Sequence, residues 1–148
     1  MSESPPLSDY RQQADDDQLN LLSLFHFVGA GLAVLALLFL FVHYQFFHTF
    51  IENPQFFANQ RQTTSPPPEQ IFRMFRMFKW FYVIFGLWFS LSALLNILSG
   101  IFLRSRTHRD VSIVIAAIDC IHIPFGTMLG VFTIVVLMRD SVRELYAT

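Results

Sequence analysis

Four side chains in this sequence have chemistry beyond packing: His26, Asn96, Asp119 and His122, each set in an otherwise apolar stretch. Asp119 and His122 are three residues apart, so a helix places them on one face, where a carboxylate beside an imidazole can pair, hydrogen-bond or exchange a proton. Ionisable groups are costly in apolar surroundings, so their presence there points to a function or to partners within the fold. Counted at about 1.5 Å per residue from one common edge of the apolar runs, His26 and Asn96 lie roughly 10 Å deep, Asp119 roughly 12 Å and His122 roughly 16 Å. They occupy one layer, and Ser23, Ser92 and Ser99 are placed to join them. Three chemistries suit such a node. The first is hydrogen bonding that sets helix register, each bond contributing about 0.6 to 2 kcal/mol. The second is ligation of haem b or a metal by His26 and His122, since paired imidazoles from different helices serve either group. The third is a proton or ion pathway centred on Asp119 with His122. Two histidines and one aspartate have no diagnostic metal-site spacing, so no metal and no cofactor is expected, and the haem or metal reading stands as the alternative.

The elements that must hold these residues are membrane helices. No Asp, Glu, Lys or Arg occurs from Leu19 to Ile51, from Trp80 to Leu103, or from Val111 to Met138 apart from Asp119. Each run exceeds the roughly 20 residues needed to cross a bilayer. Charged residues make up 14% of the chain and hydrophobic ones 53%, against about 25% charged in soluble domains. The mean hydropathy of +0.45 agrees. The expected fold is an all-α integral membrane protein with three transmembrane helices over about 19–44, 77–103 and 111–138, the third kinked or broken at Pro124. An acidic N-terminal tail over 1–18 is expected to be disordered, because it is polar and carries Pro5 and Pro6. It also lacks the basic and short apolar regions of a cleavable signal peptide. A connector over 45–70 holds Asn53-Pro54 and Ser65-Pro66-Pro67-Pro68 and is expected outside the membrane. Residues 139–148 form a short C-terminal tail with room for two helical turns.

Charge and motifs narrow the function. Ten basic and eleven acidic residues leave a net charge of −1, with no cationic excess for nucleic acid. The single Cys120 excludes an intramolecular disulfide and a CxxC redox pair. No phosphate-loop, dinucleotide-binding, hydrolase-elbow or zinc-protease pattern occurs, and no catalytic residues are expected. Arg73, Arg76 and Lys79 recur every three residues in QIFRMFRMFKWF. They form a slanting basic stripe suited to lipid headgroups, either on an interfacial helix or as the snorkelling first turns of the second span. Around the expected helix break, Pro124 ends one half-helix, Gly126 permits a tight turn or close contact, Thr127 can cap the next half through its hydroxyl, and Gly130 allows close packing one turn later.

Basic residues do not settle the topology. With three crossings the N-terminal side holds Arg11, Arg104, Arg106 and Arg109, and the other side holds the remaining six, a weak vote for that other side as cytoplasmic. If Pro124-Phe125-Gly126 is the tip of a re-entrant hairpin, the tally reverses. Three crossings are favoured, because legs of about thirteen residues are short for a membrane.

The opening DDDQLNLLSLFHFVGAGLAVLALLFLFVHY and the ending HRDVSIVIAAIDCIHIPFGTMLGVFTIVVLMRDSVRELY resemble a recurrent group of small bacterial inner-membrane proteins closing in a PxGTxLGxF/Y-type transmembrane element. The resemblance covers the first and third segments and much of the second. It implies a multi-pass location in the bacterial cytoplasmic membrane and brings no activity with it. Its small-residue stripes and eighteen phenylalanines suit helix contacts with the same chain or other membrane proteins. The expected function is therefore a non-enzymatic membrane interaction or scaffold protein, a homo-oligomer or an accessory subunit of a larger complex, whose partners are the lipid bilayer and other membrane helices.

Overall fold

The computed structural model describes residues 7–52, 69–122 and 124–147, which form helices and turns without a strand. Five helices follow in order: α1 Leu7–Glu52, α2 Glu69–Ser105, α3 Arg109–Asp119, α4 Phe125–Leu137 and α5 Asp140–Leu145. Two of them, α1 and α2, are long and apolar enough to cross a membrane, and most of their apolar length is exposed rather than packed inside the fold. Large side chains such as Leu35, Phe39, Trp80, Leu87 and Leu94 point outward, a surface that a protein in water rarely carries.

The chain divides into two compact units, one of Met1–Leu32 with Ser92–Thr148 and one of Ala33–Leu91. In the first, buried positions recur at helical spacing. Asp15, Leu19, Leu22, Ser23, His26 and Ala30 mark one face of α1; Ala93, Asn96, Ser99 and Leu103 mark one face of α2. Ser112, Ile115, Ala116 and Asp119 do so on α3, and Thr133, Val136 and Leu137 on α4. Four faces of mixed small, polar and aliphatic residues thus share an interior. Its apolar end is a cluster of Leu19, Leu22, Leu103, Val136, Leu137 and Val142.

Over 111–138, where a third crossing was expected, the structure has two shorter helices: α3 and α4 run antiparallel. At their open end Arg109 Nε donates to the Leu137 carbonyl at 2.8 Å, and at the turn Thr127 Oγ1 donates to the Cys120 carbonyl at 2.7 Å. Between these points, a Cβ built on Gly130 would strike the Ala116 carbonyl and come within 2.6 Å of Cys120 Sγ. The reason is local. Pro124 has no N–H for the carbonyl four residues back, that of Cys120, and the Thr127 hydroxyl supplies the missing donor. Thr127 was expected to cap α4, but it closes the end of α3 instead, and α4 has no side-chain cap at its start. Gly126 and Gly130 then let α4 lie directly on α3, since at Gly126 a Cβ would meet the Asp119 carbonyl and His122 Cβ. Neither glycine has positive φ, so both are required by space rather than by backbone conformation. At 11 and 13 residues, the two legs measure about 16 and 20 Å, short of the roughly 30 Å of a hydrocarbon core.

Two expected boundaries also move. The tail over 1–18 was expected to be disordered, but α1 starts at Leu7, and its first turns are tied down. Asp16 pairs with Arg106 at 2.8 Å, while Arg139 Nη1 donates to Gln18 Oε1 at 2.8 Å and lies 3.7 Å from Asp15. At the other end α1 continues through Glu52, so the first eight residues of the expected connector are helical; residues 53–68, with their prolines, lie outside those described. The C-terminal tail forms α5, whose Val142 is fully buried in the apolar cluster.

The second unit, over 33–91, has a different character. Among its described residues the buried side chain is Ala33. Its contacts are mainly between rings: His43 Nδ1 lies 2.7 Å from the Tyr82 hydroxyl, His43 stacks on Phe39, and Tyr44 meets Tyr82 edge-on.

Candidate functional site

The site is assembled from one residue or pair on each of four helices in the first unit. His26 on α1 is fully buried. Its Nδ1 lies 2.9 Å from Asn96 Oδ1 on α2 and 3.5 Å from Asp119 Oδ2 on α3. Its Nε2 lies 3.2 Å from Thr133 Oγ1 on α4 and 3.3 Å from Ser99 Oγ on α2. Asn96 Nδ2 donates to Asp119 Oδ1 at 3.0 Å and to the Ser92 carbonyl at 3.1 Å. One turn away, Ser23 Oγ donates to the Gly100 carbonyl at 2.7 Å. Gly29 makes room for this arrangement, since a Cβ there would stand 3.2 Å from Asn96 Oδ1.

The hydrogen-bond inventory orients the amide and the ring. Both partners of Asn96 Nδ2 are acceptors, so the amide nitrogen belongs where it is, and Asn96 Oδ1 faces His26 as an acceptor. The proton between them must therefore sit on His26 Nδ1. Thr133 Oγ1 gives its own hydrogen to the Leu129 carbonyl at 2.8 Å and offers His26 only lone pairs. Ser99 can turn its hydroxyl either way. Asp119 Oδ2 is buried and makes no hydrogen bond, its near neighbour being the imidazole.

Of the four residues expected to form the node, the structure gathers His26, Asn96 and Asp119 within direct contact. His122 stands at the edge, its Nδ1 4.0 Å from Asp119 Oδ1 and its side chain 25% exposed. Ser99 joins as expected, while Ser92 contributes its carbonyl rather than its hydroxyl. Thr133 was not anticipated, because a third crossing would have carried it far from Asp119. The spacing Gly126, Gly130, Thr133, Leu137 was the available signal: it marks one helix face on which two residues are small enough for close approach and the third can reach a polar partner.

His26 uses one ring nitrogen on Asn96 and the other on Thr133 and Ser99, so ligation of haem or a metal would require breaking those contacts. Among the described residues no group of three or more His, Cys, Asp or Glu is placed to hold a metal ion. Cys120 is a free thiol beside Gly130. Arg73 and Lys79 are exposed on α2, the same continuous helix as the second apolar run; the side chain of Arg76 lies outside those described. Comparison of the chain with protein-family models, curated proteins and solved structures finds no match.

Proposed function

We propose that this chain is a non-enzymatic interaction protein of the bacterial cytoplasmic membrane, working as a homo-oligomer or as an accessory subunit of a larger membrane complex. The observation that carries the reading is the direction of its polar groups. The hydrogen bonds of His26, Asn96, Asp119 and Thr133 run between four helices and end on one another, which makes the node a joint that sets register. Outward, α4 offers Phe125, Met128, Phe132 and Val135, an apolar face suited to lipid or to another helix. Chemical crosslinking in native membranes, with native mass spectrometry in mild detergent, tests this: a particle heavier than 17.2 kDa of protein is expected, and monomer alone in both overturns it.

In this reading α1 and α2 cross the bilayer, and α3 with α4 enters and leaves from one side. The ion pairs from Asp16 to Arg106 and from Asp15 to Arg139 favour both termini and the α2–α3 turn on that same side. That side then carries Arg11, Arg104, Arg106, Arg109, Arg139 and Arg143, and the other carries Arg61, Arg73, Arg76 and Lys79. The larger basic share assigns the termini to the cytoplasm, with Arg73, Arg76 and Lys79 at the opposite headgroups. Labelling single cysteines introduced near residue 12, near residue 60 and near residue 147 with an impermeant reagent, in a Cys120→Ala background, should modify only the middle one in intact spheroplasts. Labelling of residue 147 but not residue 12 would restore three crossings.

A further inference from the structure

The geometry points to a second role for the node: His26 and Asp119 form a buried proton-binding site. A histidine kept only for register is satisfied in one protonation state, whereas the surroundings of His26 satisfy two. Its Nδ1–H is committed to Asn96 Oδ1, so the nitrogen at which a proton comes and goes is Nε2. With Nε2 bare, the Ser99 hydroxyl turns toward it and donates across 3.3 Å. With Nε2 protonated, its N–H donates to Thr133 Oγ1 at 3.2 Å, which can accept because its own hydrogen is on the Leu129 carbonyl, and Ser99 turns round. No heavy atom has to move between the two states. The charge that arrives has a counter-charge in place, the Asp119 carboxylate 3.5 Å from Nδ1, whose Oδ2 has no hydrogen bond of its own.

The surroundings are otherwise neutral. Asn96 and Ser99 from α2 and Thr133 from α4 carry no charge, and the ionisable groups acting on the pair are His26, Asp119 and His122 themselves. His122 stands at the edge of the pair, its Nδ1 4.0 Å from Asp119 Oδ1, and is the further ionisable group that bears on Asp119. The exchanging proton is taken up at Nε2, on the Ser99 and Thr133 side of the ring, while Asp119 stays on the Nδ1 side as its counter-charge.

The test is a pH titration of the full chain, labelled with 15N-histidine, in phosphatidylcholine nanodiscs, from about pH 4 to about pH 9 around the ordinary imidazole value near 6.5. The expected result is a single protonation step for His26 in which Nε2 changes from bare to protonated while Nδ1 keeps its hydrogen throughout. A ring that stays in one state across the range, or one in which Nδ1 loses its hydrogen, overturns the site. Asp119→Asn keeps the shape of the side chain and removes the counter-charge, and loss of the step from the range is expected; an unchanged step overturns the role of Asp119. These readouts come from one chain, so they stand or fall apart from whether copies associate.

Discussion

The unit over 33–91 and the unit formed by 7–32 with 92–147 draw on the same apolar alphabet and hold themselves together differently. Four helix faces in the latter enclose an interior, and polar side chains occupy it: His26, Ser99, Ser112 and Thr133 are fully buried. Two long helix segments supply the former, which encloses little and relies on ring contacts such as Tyr44 with Tyr82 at 5.3 Å and on the exposed pair of His43 with Tyr82. In lipid, apolar contact alone gives little preference for one helix arrangement over another, so close backbone approach and hydrogen bonds decide. The difference implies that the four-helix unit has one specified arrangement, while the 33–91 unit owes its form chiefly to the persistence of its helices.

Two pairs of substitutions would break that contrast. Gly130→Ala should be the most damaging small change, since the new methyl meets the Ala116 carbonyl and Cys120 Sγ, and overpacking of this kind costs about 1 to 3 kcal/mol or more. Gly86→Ala in the other unit finds Leu40 Cδ2 at 3.9 Å, an ordinary contact, and should stay within about 0.5 kcal/mol. Thermal unfolding in mild detergent, followed by far-ultraviolet circular dichroism, compares them; equal losses would mean that the glycines of α4 do not set its approach to α3. Next, His26→Leu leaves Asn96 Oδ1 buried without its donor and should cost about 1 to 3 kcal/mol. His43→Leu, at an exposed pair, should cost under about 0.5 kcal/mol. Amide exchange read separately over the two units is the sharper measure: His26→Leu should speed exchange in α3 and α4 and leave 33–48 unchanged.

How much of this was legible in the sequence follows from which signals are local. The long apolar runs and the shared depth of His26, Asn96 and Asp119 depend only on residue type and helical rise, and they carried over to the structure. The course of the chain after Asp119 did not, because Pro124 announces a break without saying whether the next helix continues or turns back. The answer lay in Gly126 and Gly130, read in the sequence as small residues at a kink, yet their Cβ-free faces are what let α4 fold onto α3. Once α4 returns, Thr133 falls beside His26, a contact across 107 residues that the small-residue face of α4 allows without naming its partner. The helical N-terminus escaped for a similar reason. Asp15 and Asp16 read as acidic residues at the start of the first apolar helix, and only their meeting with Arg106 and Arg139 shows what holds the earlier turns in place.

A smaller effect tests the closure at the turn. Thr127→Val removes the donor that answers the Cys120 carbonyl while keeping the branched shape. The cost should be about 1 kcal/mol, read as a lower unfolding temperature with no change in the His26 titration. A loss as large as that of Gly130→Ala would show that the hydroxyl, rather than the glycines, holds the hairpin shut.

The smallest expected effect distinguishes the two units by pH. Tyr146, at the end of α5, packs beside the apolar cluster, and burial pushes its phenol up to about 12 against the opposing pull of Arg109 and Arg106. A raised value in the folded chain means that folding favours the protonated form. The contribution is therefore fully present below the ordinary value near 10 and is lost as pH rises through about 12. Stability in detergent should fall across that interval, and Tyr146→Phe should flatten the fall. Amide exchange should place the loosening in α5 and the first turns of α1, which Arg139 joins through Gln18, rather than in residues 33–48. Trp80 and Trp88 both belong to the 33–91 unit, so their fluorescence should stay level while α5 loosens; a fluorescence change at the same pH would mean that the two units unfold as one.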